Sequence, residues 1–280
     1  MEAKVSTFDQ EYIVYILKIK TFVLLLIISC SLFIKGQIKA DLEVNYETKI
    51  QKDSLNTYSS DIFYYTLLTT KSSSYYFSRE EKEYFDVLNG KSMLNPENSI
   101  KTSMGTFPKP PTSKGSVYYD GATIFASMPL SKYYFVYPEP PLKWEILDKI
   151  KKISTYSCKL AKTITENGHV FYAWFTDDIP ISDGPFRFKG LTGLILEIYN
   201  QSKTINITLT NIKKSTEEIS PIQYLKPVKV KDKNEFIKAR NNYFEDPSIY
   251  NGNMKLLDSQ GNDKTYTIKE KLKKINVFLD

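Results

Sequence analysis

The sequence predicts a mainly β protein, a single domain built on an antiparallel sheet or open barrel with two short helices. Three observations carry this. The aromatic residues are 21 Tyr and 16 Phe against only 2 Trp, and Tyr and Phe suit pleated, half-buried surfaces. Apolar residues recur with period two or in short runs bounded by turn residues. Helical segments do not alternate with strands, which sets aside a βαβ array. At 280 residues the chain is long enough to bury a full core without disulfide or metal staples.

The elements follow in order. Leu42, Val44 and Tyr46 alternate with polar neighbours between residues 41 and 51, and residues 61–70 and 74–77 continue as strands. Ser78 and Glu81 have capping-box spacing, and Tyr84, Phe85 and Leu88 give the helix that follows an apolar side before Asn89-Gly90 stops it. Residues 94–114, rich in Pro, Ser and Lys, read as a surface excursion. A hairpin turns at Asp120-Gly121, and residues 133–137 form another strand. Residues 143–147 and 152–162 are two more strand candidates. Asn167-Gly168 is the strongest hairpin turn, with residues 169–176 as its return strand. Residues 194–199 and 204–212 pair last. Asp232 and Glu235 again have capping spacing, opening a helix that Asp246-Pro247 ends. The total is about nine strands, mostly connected to their neighbours in sequence.

The N-terminus carries an address rather than a fold. Lys18 and Lys20 precede an apolar run from Thr21 to Ile34 that Lys35 and Gly36 close. Its length is that of a signal-peptide core and falls short of the roughly 20 apolar residues of a membrane span. The run is apolar on every face, unlike an amphipathic core helix. Residues 1–36 are therefore expected to be an export signal region, 37–250 the β-rich domain, and 251–280 a polar, loosely attached C-terminal segment. Cleavage near Gly36-Gln37 or after Ala40 is favoured. Lipidation at Cys30 competes, since Ile27-Ile28-Ser29-Cys30 resembles a lipobox, although apolar residues continue past it to Ile34. The segment 1–16 is long and acidic for a basic n-region.

Composition excludes several functions. The formal charge of +6, from 38 Lys and Arg against 32 Asp and Glu, is spread along the chain. Nucleic-acid binders concentrate it in a stripe or tail, so no nucleic-acid partner is expected. A single histidine, His169, removes most metal and acid–base schemes, and neither metal nor cofactor is expected. With Cys30 in the leader, Cys158 is the one thiol of the expected mature domain, and no disulfide framework exists.

Residues 152–200 carry a set of motifs: Tyr156-x-Cys158-x-x-Ala161, then Ala173-Trp174-Phe175-Thr176, then Ile179-Pro180, Gly184-Pro185 and Gly190-Leu191-Thr192-Gly193-Leu194-Ile195. In order and spacing this resembles the GLPGLI family of bacterial, Bacteroidetes-type envelope proteins, with Thr192 in place of the usual proline. The resemblance implies a signal peptide, a curved antiparallel sheet shaped as a bowl or half-barrel, and an uncharacterised role. It brings no catalytic residues, and the motif residues are read as structural. The setting it implies is the periplasm, the outer membrane or the exterior.

Residue chemistry adds four candidates, each weighed against plain structure. Asp177, Asp178 and Asp183 put three carboxylates in one loop, enough to ligate a hard cation or to serve a hydrolase. Their spacing fits no EF-hand, and Pro180, Gly184 and Pro185 favour a rigid connection. Gly190 and Gly193 lack the lysine and helix of a phosphate loop and favour tight strand entry. Cys158 and His169 fall on one hairpin, where the thiol behaves as a small hydrophobe and the imidazole is exposed. Trp174, beside Phe171, Tyr172 and Phe175, favours packing over a sugar or lipid platform. Asn206-Ile207-Thr208 matches a glycosylation sequon, a pattern common by chance. The expectation is a non-enzymatic envelope protein whose concave face binds an apolar or glycan ligand or a partner protein. The ligand-facing residues are unassigned. A carboxylate-dependent hydrolase and a purely structural or interaction module are the alternatives.

Overall fold

The computed structural model of the protein describes residues 15–21, 38–51, 60–94, 96–103, 105–247, 250, 260–262, 267, 270, 272, 275 and 277–279. The chain divides into two compact units, 1–38 and 39–280. In the first, residues 15–21 are helical. Cys30 and the apolar run beyond Thr21 lie outside the described residues. Among the described residues no helix is long and apolar enough to cross a membrane, which leaves strands unaddressed.

The second unit is mainly β, as expected. In chain order its elements are β1 (Leu42–Gln51), β2 (Ser60–Thr69), β3 (Ser74–Phe77), α1 (Arg79–Leu88), a 3-10 turn, β4 (Ser99–Thr102), β5 (Gly105–Pro108), β6 (Ser116–Tyr119), β7 (Ile124–Leu130), β8 (Tyr133–Glu139), β9 (Trp144–Ile153), β10 (Tyr156–Ile164), β11 (Val170–Thr176), β12 (Leu194–Asn200), β13 (Ile205–Lys214), β14 (Pro227–Lys229) and α2 (Lys233–Glu245). Twelve strands form one curved, unclosed sheet in the order β14-β8-β7-β6-β3-β2-β1-β13-β12-β11-β10-β9. Every pairing is antiparallel except β14 on β8. The bowl that the family resemblance implied is this sheet.

Local chemistry accounts for the elements that were foreseen. The Ser78 hydroxyl accepts the Glu81 N–H at the start of α1, and Asp232 accepts the N–H groups of Asn234 and Glu235 at the start of α2. Asp120 accepts from the N–H groups of Ala122 and Thr123 in the β6–β7 turn. Gly168 takes φ 80 in the β10–β11 turn, where an L side chain is strained.

Four features differ from the sequence-based expectation. Residues 94–114 contain the hairpin β4–β5, because Ile100 and Phe107 pair across it despite the surrounding prolines. The 143–162 region breaks later than expected: β9 runs on to Ile153 and turns at Ser154, with φ 53. As an edge strand, β9 is polar and accessible along most of its length, so its period-two pattern is hidden. Three-residue β14 has no pattern at all and is held by parallel pairing to Tyr134–Val136. Lastly, the chain end is held more closely than a loose polar tail: Leu279 is buried in the main core and Val277 packs against it.

Adjacent residues on a strand face opposite sides of a sheet, and here the two sides bury different cores. Tyr46, Leu67, Tyr76 and Val117 join the main core, which the 179–191 loop fills with Phe186, Phe188 and Leu191 and α2 with Phe236. Leu68, Tyr75 and Phe77 face the smaller core under Phe85 of α1, Ile219 and Ile222. The preference for Tyr over Trp has a use. Buried Tyr hydroxyls tie distant segments: Tyr46 donates to the Ile195 carbonyl at 2.7 Å, Tyr65 accepts from Lys114 N–H at 2.6 Å, and Tyr75 accepts from Ile222 N–H at 2.9 Å.

Candidate functional site

The motif residues form a hairpin and a plug. Tyr156, Cys158 and Ala161 lie on β10, Trp174, Phe175 and Thr176 on β11, and Leu194 opens β12. Between them the loop 177–193 folds back into the main core. Leu194 N–H bonds to the Ile179 carbonyl at 3.1 Å and Ile195 N–H to the Asp183 carbonyl at 2.9 Å. The loop runs from Pro180 to Pro185 through closely spaced turns: Ile181 N–H donates to the Ile179 carbonyl and Asp183 N–H to the Ile181 carbonyl.

Glycines in the loop serve contact more than conformation. The Gly184 backbone is not left-handed, and in this stretch it is Phe186 that takes a positive φ, 53. A Cβ at Gly184 would come within 2.6 Å of the Phe188 carbonyl, so close packing dictates the residue. At Gly193 the approach is tighter, 1.9 Å from the Thr176 carbonyl. Gly190 alone has a left-handed φ, +99. Tight strand entry is thus what this pair provides.

The three loop acids part. Asp177 is exposed; its carboxylate accepts from Lys159 Nζ at 2.7 Å and from the Thr192 hydroxyl at 2.5 Å. These two bonds hold its pKa below the usual carboxylate value. Thr192 thereby adds a bond that proline cannot make. Asp178 is exposed, its N–H on the Thr176 hydroxyl. Asp183 is buried, accepting from the Thr69 hydroxyl at 2.6 Å, from Gly184 N–H at 2.7 Å and from Lys189 Nζ. Lys189 also donates to the Ser74 hydroxyl at 3.0 Å.

Cys158 and His169 are not a dyad. The thiol is fully buried and burial pushes its pKa up, while His169 is exposed at the turn. Cys158 is expected to resist a thiol reagent in the native protein and to react stoichiometrically in denaturant, read by absorbance; rapid native labelling would refute this. Trp174 is 9% exposed and covered by Lys151 Nζ at 4.7 Å, so packing accounts for it.

A second buried charge cluster was not foreseen. Arg187, from the same loop, is fully buried. Its Nη1 lies 2.9 Å from Glu139 at the end of β8 and 2.6 Å from Glu166 in the β10–β11 turn, and its Nη2 donates to the Pro140 carbonyl at 2.9 Å. Lys233, the first residue of α2, bridges the same two acids at 3.2 and 2.7 Å. The acids respond oppositely. For Glu139 burial dominates and raises the pKa against both cations. Glu166 is more accessible; burial acts upward there too, but hydrogen bonds from Arg187 and Lys233 outweigh it and hold the group at about 2. A lowered folded pKa gives stability present above the unfolded value of 4.5 and lost as pH falls towards 2. Glu166→Gln is therefore expected to flatten the acid limb of a stability–pH curve; an unchanged limb would contradict the cluster.

The two clusters meet a cleft. Glu139 and Lys189 both line an open cavity of about 380 Å³, walled also by Lys71, Tyr119, Thr123, Ile124, Pro141, Leu142 and Ser182, although the Glu139 side chain itself has no solvent access. One oxygen of Glu139, Oε1, is buried without a hydrogen-bond partner among the described residues. A wider groove of about 530 Å³ runs along residues 62–66 beside Ser78–Glu80, but no lining atom there is buried and unpaired. Among the described residues no group of three or more His, Cys, Asp or Glu is placed to hold a metal ion.

The local sequence pattern conceals these buried cations. Phe186-Arg187-Phe188-Lys189 alternates apolar and cationic residues, which ordinarily puts the cations in solvent; here all four are buried.

Comparison with known proteins adds the following. A family model described as "Protein of unknown function (Porph_ging)", a Bacteroidetes-associated family, matches residues 163–197, a small part of the chain running from the end of β10 into β12. No curated protein matches. Structures of PNGF-II in P21 and C2 crystal forms are similar at 14% identity and TM-score 0.42, over 70% of this chain. The chain thus spans about a third, 32%, of the length of PNGF-II. An uncharacterized conserved protein from Thermus thermophilus is similar at 4% identity and TM-score 0.34, over 69% of this chain and 92% of that one.

Proposed function

We propose that this chain is an exported, non-enzymatic protein of the bacterial cell envelope, related to the GLPGLI family, that binds a small ligand at the rim of its sheet. Export is supported by the basic, then apolar N-terminal pattern, with a setting in the periplasm, at the outer membrane or outside the cell. The inner face of the sheet is filled by Phe186, Phe188 and Phe236, so binding moves from the concave face to the cleft beside it. The observation that carries the reading is the open cleft of about 380 Å³ itself, with Lys71 and Lys189 among apolar walls at Tyr119, Ile124 and Leu142. Apolar walls with a few placed polar groups are the usual make-up of a small-ligand pocket. A carboxylate-dependent hydrolase draws no support from Asp177, Asp178 and Asp183, which face different surroundings.

The test is native mass spectrometry of full-length protein purified from the envelope of its source cells, with fractionation alongside. A non-protein adduct in the envelope fraction is expected. Bare protein in every preparation overturns the binding, and recovery from the cytosol alone overturns export. The mass of the mature N-terminus separates cleavage near Gly36 from lipidation at Cys30.

A further inference from the structure

We propose that α1 is a pH-sensitive clasp, held to the sheet while the Glu81 carboxyl keeps its proton and loosened when rising pH removes it. The inference is independent of the rim cleft and concerns the smaller core.

Glu81 is the third residue of α1, in the first turn beyond the Ser78 cap. That position ordinarily suits an ionised acid, because the helix dipole favours negative charge there. Here the residue is turned inward and has no solvent access. Oε2 meets the Tyr224 hydroxyl in a long contact of 3.5 Å, and Oε1 is buried with no hydrogen-bond partner among the described residues. The groups that face it are hydroxyls: Ser113, Tyr134 on β8, Tyr224, Tyr75 on β3 and Tyr65 on β2. The cations nearby are engaged elsewhere. Arg79 lies 3.0 Å from Glu43 and 2.9 Å from Glu217, Lys82 is 2.7 Å from Asp86, and Lys114 Nζ sits 5.4 Å from the Phe63 ring. Of the other acids on the helix, Glu80 is exposed and Glu83 partly so. A buried carboxylate without a cation is far costlier than the neutral acid. Burial accordingly pushes the Glu81 pKa up, against the hydrogen bonds from Ser113, Tyr134 and Tyr224.

Ionisation and closure are linked. Below the ordinary value of 4.5 the acid carries its proton whether the helix is closed or open, and the clasp is at full strength. Above it the open form ionises in water while the closed form holds its proton up to the raised folded value, so closure weakens with pH over that window. What lets go is a small contact. Glu81 and Phe85 are the two buried residues of α1, and Phe85 packs edge-on to Tyr134 at 5.2 Å and Tyr224 at 5.0 Å. One of the two anchors therefore titrates. Ser78–Glu80 wall the groove of about 530 Å³, and Glu80, Glu83, Tyr84 and Val87 wall a further cavity of about 310 Å³ beside residues 108–112. Release of α1 widens both.

The test is hydrogen–deuterium exchange of the full-length protein across the range from mildly acidic to mildly alkaline pH, corrected for the intrinsic exchange rate and read on peptides covering α1. Protection of α1 relative to β11 and β12 is expected to fall as pH rises, by up to about tenfold per pH unit for one proton. Glu81→Gln keeps the size and the polar end but cannot ionise, and is expected to flatten this dependence. Glu139, another buried acid with a raised pKa, is untouched in that variant, so the difference belongs to Glu81. Circular dichroism checks the fold, and Glu81→Met, apolar and of similar size, takes its place if the glutamine variant unfolds. Protection of α1 that is independent of pH in the natural protein, or that falls equally in the folded variant, overturns the proposal.

Discussion

Replacing Arg187 by leucine lowers the unfolding free energy by about 3–5 kcal/mol, the usual cost of removing one partner from a buried ion pair. The guanidinium has no solvent access and serves three acceptors, Glu139, Glu166 and the Pro140 carbonyl. Leucine fills part of the space but bonds to none of them. Glu166 keeps Lys233 and some solvent; Glu139 keeps Lys233 at 3.2 Å and is otherwise buried. The loss is read from urea unfolding, as a lower midpoint at unchanged slope. A second substitution, Glu139→Leu in the Arg187→Leu background, removes the stranded acid and is expected to restore part of the stability, leaving Lys233 with Glu166. A loss below about 1 kcal/mol in the single variant, or no coupling between the two, would mean that the cluster does not hold the loop to β8 and α2.

Gly193→Ala is expected to cost about 3 kcal/mol, the upper end of overpacking, although its φ is not left-handed. The added methyl would meet the Thr176 carbonyl at 1.9 Å, and that atom belongs to backbone rather than to a flexible side chain. Relief requires the end of β11 and the start of β12 to separate. Gly168→Ala is the matched control. It has φ +80 and nothing within 4 Å of the new atom, so only left-handed strain is added, about 1–2 kcal/mol. Thermal unfolding of the two proteins compares contact with conformation directly, and equal losses would remove the case for close packing at Gly193.

What could be read from the sequence divides by range. Helix caps at Ser78 and Asp232 and turns at Asp120-Gly121 and Asn167-Gly168 depend on residues within four positions of one another, and all four are present. Strands with one buried side were legible because their side chains alternate. β9 and β14 were not: one is accessible along most of its length, and the other is fixed by pairing with residues about ninety positions earlier. The cleft was hidden for the same reason. Glu139 stands between two prolines in what reads as a strand end, and its partners are 48 and 94 positions away. The motif loop was legible as a rigid connection, whereas the burial of Arg187 and Lys189 inside it depends on acids from other strands.

An open sheet has two ends, and each is unsuited to recruiting another chain. At one end β14 has three residues and begins with Pro227, which lacks an N–H to offer. At the other, β9 exposes Ile150 among Asp148, Lys149, Lys151 and Lys152. A strand docking along it would bring like charges together and strip water from several of them. Short length, proline and lysine are the means by which natural sheets discourage edge-to-edge growth into fibrils. The sheet can therefore stay unclosed, with its rim cleft accessible, without seeding aggregates of its own kind.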